Sequence, residues 1–263
     1  MIRAVRSELI RLRNPSTLLS GIGLMVFFGV LATTIVLVTA TSGVTHGPPG
    51  ADRVTVAMLE AGDGMFVGLQ NFVGMLGIVA LTVWAIAVTS DYSSGLIRLL
   101  VQAEPRRWRL LAGKVVALTG FTCLATLVTT VVVLAVAPPI AEMTGVSTDA
   151  WTTDLLRTVV EGYVQLTLSV LLWGVVGLFV GMITRSTGIA IAIGIGYLLV
   201  FEGVLGLLLD STAKWLPGAA FGAIATGGTA DMTFAAAAAV SAAYVVVAFT
   251  VTVITFWRRD ITA

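Results

Sequence analysis

Glu202 is the one ionisable side chain inside an otherwise uninterrupted apolar run. A carboxylate there is costly unless it faces a partner helix or a wet cavity. Counting from Ser186 at about 1.5 Å per residue puts it roughly 24 Å along that run. Two readings follow: the outer end of a translocation path, or a side chain at headgroup depth. It does not make a proton relay, because no second carboxylate or histidine shares an apolar run with it. His46 is the single histidine and lies in a Gly/Pro loop without neighbours that could complete a metal site. Cys123 is the single cysteine, which excludes an intramolecular disulfide and a cysteine metal cluster and leaves a buried, inert thiol. Paired catalytic carboxylates, a nucleophile elbow and a Cys/His pair are absent as spaced motifs, so no catalytic and no metal-binding residues are assigned. Gly113-Lys114 runs into Val115 with no glycine at the spacing of a phosphate-binding loop. If ATP drives this protein, another polypeptide binds the nucleotide, and no cofactor belongs to this chain.

The elements around these residues follow from composition. Hydrophobic residues make up 57% of the 263 and charged residues 11%, against about 25% charged in a soluble domain; mean hydropathy is +1.01. Too little charge remains to cover a water-facing surface, which excludes a soluble enzyme, a nucleic-acid binder and a disordered scaffold together. Crossing the hydrocarbon takes roughly 20 apolar residues. Six stretches qualify, with spans at about 17–41, 66–90, 114–137, 161–184, 186–209 and 233–257. Pro138 and Pro139 break the third at its end. The runs are too long, and too apolar on every side, for barrel strands. The expected fold is an all-α integral membrane protein, one transmembrane domain over 1–263. The basic start followed by an apolar run is an uncleaved first span rather than a signal peptide, since that run is too long and no small-residue cleavage site follows.

Charge placement orients the spans. Of the 15 basic residues, Arg3, Arg6, Arg11, Arg13, Arg98, Arg106, Arg107, Arg109, Lys114, Arg185, Arg258 and Arg259 fall on one side; Arg53, Arg157 and Lys214 fall on the other. The positive-inside rule makes both termini cytoplasmic. Arginine far outnumbers lysine, and Ala, Val and Gly abound, which suggests a GC-rich bacterial genome and hence a bacterial cytoplasmic membrane.

Several segments could carry function. In 1–16, Ile2, Val5, Leu9 and Leu12 share one helical face, with Arg3, Ser7, Glu8 and Arg11 around the rest. That is either an amphipathic helix lying in the interface or a plain basic topology signal. Segment 91–112 continues to Lys114; Asp91 suits a helix cap, the block 96–101 is apolar but too short to span, and Pro105 suits the start of the next helix. It reads as a positive-inside loop or as a docking element, and its length favours docking. Small residues Gly174, Gly177 and Gly181 in span four, and Gly188, Ala192 and Gly196 in span five, allow close helix approach, within the chain or at a dimer seam. Segment 210–231 has a helix start at Pro217 and a stop at Gly227-Gly228, as in a short helix dipping back into the outer leaflet. Thr152 or Thr153 could cap span four. Trp108 and Trp257 on one side, with Trp151 and Trp215 on the other, fit aromatic belts.

The pattern Asp91, Gly95, Arg98, Leu100, followed by Pro105 to Lys114 (Pro-x2-Trp-Arg-Leu-Leu-x-Gly-Lys), resembles ABC-2 type permeases, the membrane subunits of a class of ABC exporters. The resemblance covers nearly the whole chain, including Leu216-Pro217-Gly218-Ala219-Ala220 before the last span. It implies that 91–112 holds the coupling helix touching a separate ATPase, which binds ATP and Mg. Asp91, Gly95, Arg98, Glu104, Pro105, Arg106, Arg107 and Trp108 are then the coupling residues; many members carry Glu where this chain has Asp91. It further implies a second permease subunit, identical or related, and outward movement of a hydrophobic or amphipathic solute such as a drug, antibiotic or lipid, with resistance by efflux a common role. A mechanical subunit acting on an extracytoplasmic partner is the first alternative. An ATP-independent carrier is a weaker one, because only Glu202 is available and it is not central.

Overall fold

A computed structural model describes residues 8, 15–41, 54–93, 107–208 and 210–258. Helices account for 88% of them, and no strand occurs among the described residues. The principal helices are α1 (Pro15–Thr41), α2 (Gly64–Asn71), α3 (Val73–Ser93), α4 (Arg107–Thr144), α5 (Leu155–Thr184), α6 (Thr187–Gly196), α7 (Glu202–Leu208), α8 (Pro217–Ala225) and α9 (Phe234–Arg258). A π-helical turn, Tyr197–Phe201, joins α6 to α7. Among the described residues, six stretches are long and apolar enough to cross a membrane: Leu18–Thr41, Val73–Ser93, Trp108–Thr144, Leu155–Thr184, Thr187–Gly206 and Phe234–Thr255.

Many hydroxyls in these helices bond back to their own backbone. Along α1, the hydroxyls of Thr33, Thr34 and Thr39 donate to carbonyls four residues back at 2.9, 2.8 and 2.7 Å. Pro15 opens α1, where its missing N–H costs nothing.

The core is two close helix pairs joined by hydroxyl contacts. In the α3–α5 pair, Gly174 admits the Trp84 ring and Gly177 admits the Leu81 backbone. A methyl group at Gly177 would stand 2.7 Å from Leu81 Cα, and one at Gly174 2.6 Å from Trp84 Cε2. Gly181 faces Ala85, and from the α3 side Gly77 admits the Trp173 ring. In the α1–α4 pair, Gly29 lies under the Thr129 methyl and Gly21 under the Phe121 ring. Between pairs, Thr126 and Thr167 share a hydrogen bond of 3.0 Å, and Trp84 Nε1 donates to Thr122 Oγ1 at 3.0 Å. The π-bulged fifth span and α9 lie outside this core, with only 11% and 17% of their windows buried.

Four local expectations are corrected. The second apolar run is two helices, because Phe72 leaves helical geometry and α2 turns aside to press Gly68 against Thr33. Pro138 and Pro139 do not end α4, which continues to Thr144; Ala137 and Ala141, fully buried, hold that stretch in the core, so packing outweighs local preference. Neither Thr152 nor Thr153 caps span four: Asp154 occupies the cap at φ 51, and Thr152 bonds back to Asp149. Trp151 is not a belt residue, being 3% exposed with its indole donating to the Leu59 carbonyl at 2.8 Å.

Candidate functional site

One end of the bundle gathers the basic residues. There α3 finishes, α4 begins and α5 turns into α6. Asp91 lies in the last turn of α3, and the helix runs on to Ser93, so Asp91 caps nothing. Its carboxylate meets Lys114 Nζ at 2.9 Å. The same ammonium meets Glu8 Oε2 at 3.0 Å and donates to the Ala87 carbonyl at 2.8 Å. Glu8, Asp91 and Lys114 are each at most 8% exposed. An ammonium has three donors, and here all three have acceptors. The cluster also offsets a helix-end penalty. A carboxylate in the last turn of a helix is disfavoured by the peptide dipoles, and the Lys114 ammonium brought across from α4 offsets this.

Neighbouring contacts fasten the same turn of α3. Thr89 and Thr187 share a hydrogen bond of 2.6 Å, and Tyr92 Oη donates to Met182 Sδ at 2.9 Å. Arg185 stacks over the Tyr92 ring at 4.8 Å. The last turn of α3 is thus tied to the N-terminal segment through Glu8, to α4, to α5 and to α6. It presents no nucleophile. It links Asp91 in the last turn before segment 94–106 to Lys114 in α4 after that segment, and to Glu8.

The residues assigned to docking separate. Asp91 is buried and paired with Lys114. Trp108 is 50% exposed at the start of α4, with the Arg109 guanidinium 5.6 Å from its ring centroid. Arg107 is the first residue of α4. Gly95, Arg98, Glu104, Pro105 and Arg106 lie outside the described residues, as do His46 and, apart from Glu8, the 1–14 part of the expected interfacial helix.

Glu202 lies at the opposite end. Its carboxylate accepts from the backbone N–H of Gly218 at 3.1 Å and of Ala219 at 2.8 Å. These are first-turn donors of α8, which have no partner within the helix. Glu202 supplies from another helix the oxygens that a side-chain cap would give. A side-chain carbon at Gly218 would stand 2.6 Å from the carboxylate carbon, so the Glu202 side chain would have to shift to admit one. Burial of Ala220, Phe221, Ala223, Ile224 and Ala225 draws α8 onto α5 and α9. Phe221 meets Trp173 edge to face at 5.2 Å between centroids. Trp173 is eleven residues from the Thr184 end of α5, so α8 packs alongside α5 and not beyond its end. Tyr244 Oη on α9 donates to the Trp215 carbonyl at 3.0 Å. Sequence reasoning missed the Glu202 contact; the signal was a Pro217 helix start with no capping side chain before it.

Of the small residues, Gly174, Gly177 and Gly181 lie in the α3–α5 seam. Gly188 and Gly196 meet nothing within 4 Å, and Ala192 is exposed. In span five it is Ala190 and Gly194 that face the core. Cys123 is half-buried. Among the described residues, no three His, Cys, Asp or Glu side chains come together as a metal site.

No curated protein matches the chain. Residues 53–262 match the family described as "Protein of unknown function (DUF2705)", which takes in everything built here except Glu8 and α1. The chain belongs to the DUF2705 family.

Proposed function

We propose that the chain is the membrane-spanning permease subunit of an ATP-driven exporter of the ABC-2 type, in a bacterial cytoplasmic membrane with both termini cytoplasmic. The observation that carries this reading is the buried Glu8–Lys114–Asp91 cluster. It joins both ends of segment 94–106 and the N-terminal segment into one rigid node at the basic end of the bundle. A partner ATPase with bound ATP and Mg would dock on 94–106, with Arg98 and Glu104 as polar contacts and Arg106, Arg107 and Trp108 at the membrane edge. Its closure would push on the node, and the node would tilt α3 and α4 together. The α3–α5 seam would carry that tilt to α5 and to the re-entrant helix α8 at the far end. A second permease subunit would pack on the open small-residue face Gly188, Ala192 and Gly196. The moved solute is hydrophobic or amphipathic, because the spans carry few charges beyond the node and the Glu202 carboxylate is committed to the α8 N-terminus.

The test is a pull-down from gently solubilised membranes. An ABC ATPase should copurify with the wild-type chain and be released by the Arg98→Ala, Glu104→Ala double variant. With Lys114→Met, Glu8→Gln and Asp91→Asn combined, the ATPase should stay bound. No copurifying ATPase from membranes that preserve other transporter complexes would remove this reading.

A further inference from the structure

Arg185 ends α5 and opens the two-residue link to α6. Its backbone stands at φ 52, a left-handed conformation that glycine adopts freely and a long side chain does not. The backbone would be better served by glycine, so the side chain needs its own explanation. The guanidinium stacks on Tyr92. Its Nε is buried and has no hydrogen-bond partner. The ion pairs among the described residues use other cations and leave Arg185 without a carboxylate. A buried, unmatched charged donor is costly, and the planar guanidinium fork matches a phosphate or carboxylate.

Depth selects the source of the anion. Thr184 ends one membrane-length stretch and Thr187 begins the next, Thr187–Gly206, so a two-residue link between them does not rise above the end of the bundle. The fifth span beside it is the least enclosed of the six, with 11% of its window buried. Acyl chains flanking that span bring their headgroups to the level of Arg185. Ser186 provides no side-chain cap for α6, so first-turn N–H groups lie in the same link.

We infer that Arg185, held by Tyr92, binds the phosphate of an anionic membrane lipid at the basic end of span five. This needs α5 and α6 to span a bilayer and does not rest on the transport reading.

The test is thermal unfolding of the purified chain in neutral detergent, titrated with phosphatidylglycerol or phosphatidylcholine, alongside native mass spectrometry of retained lipid. Phosphatidylglycerol should raise the midpoint of the wild-type chain. Arg185→Gly should melt higher than wild type without lipid, because the left-handed position is relieved, yet bind phosphatidylglycerol about tenfold more weakly. Arg185→Lys, which keeps the charge but not the fork, should fall between. Phosphatidylcholine should not distinguish the variants. Equal phosphatidylglycerol binding by wild type and Arg185→Gly would overturn the site, and Arg185→Gln gives the same reading if the glycine variant does not fold. Saturation by inorganic phosphate, with no added effect of lipid, would overturn the lipid as source. An unchanged lipid response, with loss of a copurifying protein from Arg185→Gly, would assign the arginine to an acidic protein group instead.

Discussion

Lys114 neutralises one of the two carboxylates beside it and is shared by both. Taking it away leaves Glu8 and Asp91 facing each other inside the chain, and breaking a buried pair in this way costs about 3–5 kcal/mol. Lys114→Met should therefore lower the unfolding midpoint sharply in detergent. Adding Glu8→Gln and Asp91→Asn should restore most of it, since a neutral cluster of similar volume carries no unpaired charge. A single variant as stable as wild type would mean the cluster holds nothing. The amino-acid sequence displays Lys114 only as one more cation in a basic stretch. Which of Arg106, Arg107, Arg109 and Lys114 turns inward depends on where α4 begins and which side of it meets α3. Asp91 misled for a related reason: a carboxylate before two serines has the pattern of a helix start, and only a long-range partner lets it sit at a helix end instead.

Two contacts dominate at the level of elements. The α3–α5 seam depends on backbone approach at Gly177, where a methyl group would run into the Leu81 backbone. Gly177→Ala should cost about 1–3 kcal/mol, read as a lower midpoint. Gly188→Ala meets nothing in the chain and should stay within about 0.5 kcal/mol of wild type; a dimer lost at unchanged midpoint would locate the seam with a second subunit. The second contact is the Glu202 clamp on α8. Glu202→Ala removes two acceptors from its first turn and should cost about 1 kcal/mol, and it should raise amide exchange in 217–225 more than elsewhere. Exchange unchanged there would show that packing of Phe221 on Trp173 holds α8 unaided. The glycine spacing in α5 and the Pro217 start were readable because each is a local pattern. The partner of Glu202 was not, because sixteen residues separate it from Gly218 and the π-helical turn just before Glu202 shifts which face of the helix it occupies.

For the whole molecule, the number of spans was the most legible feature, since burial in hydrocarbon writes itself as long charge-free runs. Boundaries were less so. Phe72 splits one run and the α4 prolines fail to end another, because tertiary packing decides both. The expected orientation is directly testable in a Cys123→Ala background. Asp149→Cys, exposed at the far end, should label from outside intact cells, and Trp108→Cys only after permeabilisation. The opposite pattern would invert the proposed topology. The central claim is that a push delivered at segment 94–106 reaches α8 through the Lys114 node. The most direct measurement is amide hydrogen exchange of 217–225 in the complex with its ATPase, without nucleotide and with nucleotide trapped by vanadate. Trapping should change exchange at 217–225 in the wild-type complex, and the neutral Glu8→Gln, Asp91→Asn, Lys114→Met variant should lose most of that change while keeping its ATPase. Identical exchange at 217–225 in the two wild-type states would contradict the account.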